Sequence, residues 1–138
     1  MNDTLLNKKI SIERCLSQVE RYYALDTGVP FEADHLRQDA ISMNLQRACE
    51  LAIDMANHVI KVKKLGLPQD SRESFSLLHD GRLIGVEQMR MLQSMVGFRN
   101  ILVHEYRKLE PDIVIDVIKG RMWELLDFAH AMLEAVGA

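Results

Sequence analysis

The sequence predicts an all-α protein, an up-and-down bundle of four long helices plus one short helix, forming a single domain over residues 1–138. Apolar residues recur three, four and seven positions apart in long segments, which is the spacing of one helix face. Only residues 113–118 (IVIDVI) have the β-branched composition of a strand, and no second strand candidate exists to pair with them. A helical bundle is the architecture that this pattern favours.

Composition restricts the class of protein further. The chain of 138 residues is 48% hydrophobic and has 17 Lys and Arg against 20 Asp and Glu, a formal net charge of -3. This balance excludes a globally basic, histone-like binder but leaves a local basic patch open. Since we find no signal peptide and no apolar stretch of membrane-spanning length, we expect a cytoplasmic protein that does not bind membranes. Cys15 and Cys49 have no CxxC partner, and we interpret both as reduced core thiols.

The first two long helices are predicted at residues 4–25 and 34–64. Gly28 and Pro30 separate them as turn formers. Three lysines complement the end of the second helix, where we expect Gly66 to take the left-handed closing conformation and Pro68 to prevent continuation. The expected core positions are Leu5, Ile12, Leu16, Val19 and Tyr23 in the first helix, and Leu36, Ala40, Ala48, Leu51, Ala52, Met55, Val59 and Val62 in the second.

The remaining helices are a short one, a third long one and a last one. Asp70 or Ser71 caps the short helix, which Gly81 ends. The third long helix spans residues 86–104. Pro111 suits the first turn of the last helix, where its missing N–H costs nothing. Residues 113–118 are strand-like in composition, but the helical spacing continues over a length that no ordinary strand reaches. The expected core positions are Met89, Leu92, Met95, Val96, Phe98, Ile101, Leu102, Val114, Ile118, Leu125, Phe128 and Leu133.

Bundles of this size often expose a leftover apolar stripe. The chain also contains eight Met, whose flexible side chains are common at such surfaces. We therefore expect the protein to form a homodimer through this stripe.

One segment brings together an Arg, an Asn, a His and a Tyr that could take part in catalysis, residues 98–108 (FRNILVHEYRK). On a helix, Asn100 and His104 are i,i+4 neighbours, whereas Arg99 and His104 lie about 140° apart around the axis. Arg99 and His104 therefore converge only through the length of the Arg side chain, a helix end near His104, or a second chain related by a two-fold axis.

This set contains what RNA cleavage without a metal requires. His104 can exchange a proton with a ribose 2′-hydroxyl or with the leaving 5′-oxygen. Arg99 can hold the scissile phosphate and stabilise the charge of the transition state. Asn100 is placed to orient the imidazole, and Tyr106 offers a stacking face and a hydroxyl. The set lacks the carboxylate cluster that Mg²⁺ needs, so we expect neither a metal nor another cofactor.

From the residues alone, a structural interpretation stays open. Arg99 and His104 can be surface residues that form a salt bridge with a neighbour such as Glu105, and Tyr106 can be a half-buried aromatic at a helix end. The last cations of the segment can simply complement the helix dipole.

The second long helix offers weaker candidates. Asp54 and His58 are i,i+4 neighbours, and a hydrogen bond between them is a better interpretation than a metal site, because two ligands do not make a site. Glu50 and Asp54 either hold Arg99 from across the bundle or are solvated.

Residues 99–106 (RNILVHEY) resemble the signature of the HEPN superfamily, an Arg, four residues, a His, any residue and a Tyr, and specifically that of HepT-type toxins. Residues 44–58 are similar to the second-helix pattern of that family. Residues 66–75 resemble the loop that follows it. The likeness extends over roughly residues 4–130 and covers most of the chain.

The resemblance implies a HEPN-like bundle of four or five helices that dimerises, so that two Arg–His motifs line one cleft. It implies a metal-independent endoribonuclease that acts on RNA as the toxin of a type VII pair and is neutralised by an MntA-like nucleotidyltransferase antitoxin. By this resemblance Arg99 and His104 are catalytic, Asn100 is supporting, and Tyr106 is the position that receives AMP or contacts substrate.

Some relatives in this superfamily are non-catalytic docking or nucleotide-binding partners of a minimal nucleotidyltransferase, which is the alternative function. Because the chain is acidic overall, attraction to RNA depends on a local basic cleft. The cations available for such a cleft are Arg72, Arg90, Arg99, Arg107 and Lys108.

Overall fold

The computed structural model describes residues 3–105 and 109–137, and these residues form six α-helices and one short 3₁₀ helix, without a strand. This confirms the predicted all-α class. The helices are α1 (Asp3–Ala24), α2 (His35–Lys63), α3 (Ser71–Asp80), α4 (Val86–His104), α5 (Pro111–Gly120) and α6 (Met122–Gly137), and the 3₁₀ helix is Phe31–Ala33.

The long helix α2 is the centre of the bundle. It packs against α1, α3, α4 and α6, and for this reason it buries residues around much of its circumference. The short helix α3 closes one side by packing on α2 and α4. Phe75 of α3 meets Phe128 of α6 edge to face at 5.5 Å between ring centroids, and both side chains are fully buried. This aromatic pair joins α3 to α6 through the core.

A buried ion pair fixes the start of α2. Asp34 caps the helix by accepting the backbone N–H of Arg37, and Arg37 Nε lies 2.8 Å from Asp34 Oδ2. The Arg37 guanidinium also donates to the carbonyls of Tyr23 and Val29. Hydrogen bonds, first that from the Thr27 hydroxyl and then those from Arg37, lower the pKa of Asp34 to about 2. The connection between α1 and α2 is therefore tied to the first turn of α2.

Two details of α2 differ from the sequence-based prediction. Leu36 and Val62 are 81% and 47% exposed, because the buried face is set by the neighbouring helices and not by apolar spacing alone. The left-handed residue that ends the helix is Lys64 (φ 55°, ψ 51°), and the prediction that Gly66 has this role is wrong. The N–H groups of Lys64 and Leu65 satisfy the carbonyl of Ile60.

The predicted last helix is two helices. The β-branched stretch at 113–118 is helical, as predicted, but the chain breaks at Gly120 and Arg121 before α6 begins. Gly120 is a poor helix former, and Arg121 leaves the helical conformation with φ -129° and ψ -9°. Arg121 then bonds Glu124 through two nitrogens at 3.0 and 3.2 Å, which holds the corner. The prediction of four long helices and one short one therefore becomes six.

The two cysteines are free and buried, as predicted. Burial raises the pKa of Cys49 to about 12, while the positive charge of Arg99 acts in the opposite direction. None of the helices in residues 3–105 and 109–137 combines the length and the apolarity that crossing a bilayer would require.

Candidate active site

Helix α4 carries residues 99–104 of the motif, by which we mean residues 99–106. Its core side includes Leu92, Met95, Val96 and Leu102, all buried. Arg99 follows Met95 by one turn and so lies toward this core side. The helix ends at His104, where the N–H of Glu105 still bonds the carbonyl of Ile101 at 2.8 Å. Arg99, Asn100 and His104 therefore occupy the last turns of a helix that is packed against the core.

Arg99 is half-buried, and its contacts are neutral. Its Nε donates to Asn100 Oδ1 at 3.0 Å, and its Nη2 donates to the hydroxyl of Ser71, the first residue of α3, at 3.5 Å. Within the described residues, no carboxylate lies at ion-pair distance from this guanidinium. The positive charge is therefore held in place by hydrogen bonds but not neutralised.

Asn100 has a different partner from the one expected. The sequence predicts that it orients the imidazole of His104, whereas its amide oxygen accepts from Arg99. The reason is the reach of the Arg side chain, which can fold back onto the adjacent residue. In this structure Asn100 therefore positions the guanidinium.

His104 is exposed at the end of α4. In the described part of the chain, its ring forms no hydrogen bond. The helical geometry separates it from Arg99 by about 140°, as the spacing predicts. Arg99 and Asn100 are thus brought together within one chain, and His104 faces solvent on another side of the same helix.

The remaining motif residue, Tyr106, and the two cations Arg107 and Lys108 lie outside the described residues. Of the other expected cations, Arg90 is exposed near the start of α4 and pairs with Glu87 at 3.7 Å. Arg72 is exposed at the second position of α3, beside α4. A basic cleft near the motif can therefore include Arg72 but gains little from Arg90.

Among the described residues, neither acidic candidate on α2 forms an ion pair or a hydrogen bond with Arg99. Asp54 is exposed and lies 3.8 Å from Lys8 of α1. Glu50 accepts a hydrogen bond from Gln46 at 3.0 Å. Among residues 3–105 and 109–137, no three His, Cys, Asp or Glu side chains come together in a way that could hold a metal ion.

A groove borders the motif helix. Its volume is about 610 Å³, and it runs between α2, α4, α5 and α6. We call it the α4–α6 groove. Its charged lining residues are Arg72, Arg121 and Glu124, and its apolar lining includes Leu45, Phe98, Ile101, Ile113, Val117 and Leu125. Ile101 and Ile113 are among the exposed large apolar residues, so this groove is part of an apolar surface.

Comparison with known proteins identifies the family to which the chain belongs. The family model described as ribonuclease HepT-like matches residues 12–132, which include Arg99 and His104. The chain belongs to the HepT-like ribonuclease family. It is 41% identical over 128 residues to a protein named mRNA nuclease HepT from Shewanella oneidensis, a match that covers 93% of this chain and 95% of that protein.

Solved structures agree with this HepT-like assignment. The fold matches the tri-AMPylated HEPN toxin of Shewanella oneidensis, solved in complex with an MNT antitoxin, with a TM-score of 0.89, 40% identity and coverage of 97% of this chain and 99% of that one. A second match is to a toxin–antitoxin structure with AMP-PNP, with a TM-score of 0.88, 39% identity and coverage of 96% and 99%. The family resemblance predicted from the motif is thereby confirmed.

Sequence reasoning missed two partners of this HepT-like site. Ser71 meets Arg99 although the two are far apart in the chain, and no local spacing signals that contact. Gly97 was not singled out either, yet a Cβ built on it would lie 3.0 Å from Nη2 of Arg72. A glycine inside a predicted helix is the signal that could have found it, because it often marks a close approach.

Proposed function

We propose that this chain is the ribonuclease toxin of a type VII toxin–antitoxin pair, in which Arg99 and His104 act on the same phosphodiester of RNA. One observation carries the proposal: the half-buried guanidinium of Arg99 is fixed by neutral oxygen atoms and retains its charge for an anion. The related Shewanella oneidensis protein is named an mRNA nuclease, which supports RNA as the substrate class.

The reaction that suits these residues is transesterification followed by release of the two RNA fragments. The ribose 2′-oxygen attacks the adjacent phosphorus, so the O2′–P bond forms while the P–O5′ bond breaks. His104 removes the 2′-hydroxyl proton or gives a proton to the departing 5′-oxygen, and water carries out the other of these two proton transfers. Arg99 donates to the non-bridging oxygens and stabilises the negative charge that grows there. Each of these steps uses protein groups and water alone, and we propose that cleavage is independent of metal ions.

We propose that the active form is a homodimer. One chain presents Arg99 and His104 on different sides of α4, so a second chain is needed to bring an imidazole and a guanidinium to one phosphate. The α4–α6 groove supports this arrangement, because its exposed Ile101 lies three residues before His104 and its exposed Ile113 continues the apolar surface onto α5. A two-fold axis beside α4 would bury Ile101 and Ile113, leave the α3 edge of the groove at Arg72 open, and join two motifs in one cleft.

We propose further that a nucleotidyltransferase antitoxin neutralises the toxin by transferring AMP to Tyr106. The Tyr hydroxyl oxygen would attack the α-phosphorus of ATP, diphosphate would leave, and the hydroxyl proton would pass to solvent. The added negative charge near His104 would repel an RNA phosphate. The structure of the AMPylated Shewanella oneidensis toxin with its MNT antitoxin supports this proposal.

The test of the nuclease is cleavage of a labelled RNA by the purified protein in excess EDTA. We expect products with 2′,3′-cyclic phosphate ends, and no cleavage by His104→Ala. The matched control is His130→Ala, which removes an exposed histidine on α6 that pairs with Glu134. Wild-type rates of cleavage by a folded His104→Ala protein would reject the assignment. A wild-type protein that binds the nucleotidyltransferase but never cuts RNA would favour the docking alternative.

The test of the modification is intact-mass spectrometry after coexpression with a nucleotidyltransferase antitoxin of the MNT type. We expect the wild-type chain to gain the mass of AMP and Tyr106→Phe to keep its own mass. An unshifted wild-type mass with full neutralisation would instead indicate inhibition by steric blocking.

A further inference from the structure

Arg72 has a backbone that is firmly attached to the motif helix. It is the second residue of α3, whose first turn is capped by Asp70. Gln93 of α4 donates from one amide nitrogen to the carbonyl of Arg72 at 3.0 Å and to the hydroxyl of Ser76 at 2.9 Å. The start of the Arg72 side chain is therefore held at a fixed position beside α4, while the side chain itself is exposed.

The guanidinium of Arg72 lies against the backbone of α4 at Gly97. A Cβ atom at Gly97 would stand 3.0 Å from Arg72 Nη2, so the flexible end of that side chain would have to give by a few tenths of an ångström. A glycine in the interior of a helix is destabilising relative to alanine, so its presence here needs a reason. The space that glycine leaves for the Arg72 guanidinium is such a reason.

This position is aligned with His104. Gly97 and His104 are seven residues apart, which places them within about 20° of each other around α4 and about 10 Å apart along it. Asn100 lies between them on neighbouring turns. Arg99, from the other side of the helix, reaches Ser71, the residue adjacent to Arg72. The guanidinium groups of Arg72 and Arg99 therefore both lie near the first turn of α3. The surface of α4 beneath Arg72 continues along the helix to His104.

The charge of Arg72 is not neutralised by the nearby acids. Asp70 uses Oδ1 to accept the N–H of Glu73 at 2.8 Å, and Glu73 uses Oε1 to accept the N–H of Gln69 at 3.2 Å. In the part of the chain that the structure describes, no carboxylate lies within ion-pair distance of Arg72. By contrast, Arg121, which also lines the α4–α6 groove, is paired with Glu124.

We propose that Arg72 is an additional substrate-binding residue, which binds the RNA phosphate next to the scissile one and is placed by its contact with Gly97. The inference rests on the proposed ribonuclease function and extends it to the path of the strand, which runs along α4 from His104 toward the start of α3. A cation that tracks the backbone in this way contributes to affinity without reading sequence.

The experiment compares Arg72→Ala, Gly97→Ala and the control Arg14→Ala in the full chain, with steady-state cleavage and RNA binding at several salt concentrations. Arg14 is exposed on α1, which packs on α2 and α6, so its loss removes the same charge elsewhere. For Arg72→Ala we expect KM to rise about tenfold with kcat within about threefold, and the slope of log affinity against log salt to fall by about 0.7.

Gly97→Ala separates binding from folding. Because the new methyl group shifts only the flexible end of Arg72, by a few tenths of an ångström, and alanine favours the helix, we expect an unchanged or higher Tm together with a KM between those of the wild type and Arg72→Ala. Arg14→Ala should keep the wild-type KM. A KM and salt slope in Arg72→Ala equal to those of Arg14→Ala would overturn the inference, as would a wild-type KM in Gly97→Ala. A wild-type chain that does not cleave RNA would overturn the proposed function first, before the variants are compared.

Discussion

Replacing Arg99 by alanine tests whether its guanidinium acts in RNA cleavage or stabilises the fold. The substitution removes the hydrogen bond to Asn100 at 3.0 Å and a contact with Ser71 that, at 3.5 Å, is at the limit of a hydrogen bond. A hydrogen bond from a charged donor contributes about 1.5–3 kcal/mol net when it is buried, and less here because Arg99 is only half-buried. Removing a half-buried charge without a carboxylate partner offsets part of that loss. We therefore expect the free energy of unfolding to fall by no more than about 1 kcal/mol, or about 3–6 °C in Tm.

Cleavage should respond far more strongly than stability. Loss of a donor that stabilises the transition-state charge typically lowers kcat by about 10²–10³-fold. The assay is thermal unfolding by circular dichroism beside single-turnover cleavage of a labelled RNA. The control is Arg37→Ala, which removes a buried guanidinium that is paired with Asp34 and bonded to backbone carbonyls, and should lower Tm much further. An Arg99→Ala protein as unstable as that control, whose folded fraction cuts RNA normally, would refute the reasoning.

Three further predictions concern the core and its titrating groups. Phe75→Ala should lower the free energy of unfolding by about 3–5 kcal/mol in urea titration, because it empties a fully buried site against Phe128; a loss below about 2 kcal/mol would contradict the packing. The pKa of Asp34 is lowered to about 2, chiefly by the Thr27 hydroxyl, so the charged carboxylate stabilises the fold above about pH 4 and this contribution is lost as the pH falls toward 2. The Tm of Asp34→Asn should therefore fall less steeply over that range than the wild-type Tm, and parallel curves would argue against it. Burial raises the pKa of Cys49 to about 12, so this thiol should not react with a disulfide reagent at pH 8 until the protein unfolds, and rapid labelling of the native protein at Cys49 would be the contrary result.

The fold could be predicted where local chemistry decides it. The N-cap at Asp70 and the proline at the start of α5 follow from short-range signals, and the apolar spacing places the end of α4 near His104. The exposure of Leu36 could not be predicted in this way, since it depends on which neighbouring helices cover that face, whereas Gly120 is itself a local signal for the break between α5 and α6. Apolar spacing describes one helix at a time, whereas burial is decided by pairs of helices.

The same distinction between local signals and contacts between helices applies to the candidate site. The positions of Arg99 and His104 around one helix follow from helical geometry. The role of Asn100 does not, because the choice between Arg99 and His104 as its partner depends on side-chain conformation. The contacts of α3 with α4, through Ser71 and through Arg72 at Gly97, join parts of the chain that no spacing relates. Tyr106 lies outside the described residues, so its role remains a proposal.

The central claim is that the guanidinium of Arg99 and the imidazole of His104 act on one phosphodiester in one step. The most direct measurement is kcat for Arg99→Ala, His104→Ala and the double variant on the same RNA, with equal folding verified by circular dichroism. Groups that act as a unit are strongly non-additive, so we expect the double variant to be no slower than the slower single variant. Losses that multiply in the double variant would show that the two residues act independently and would contradict the claim.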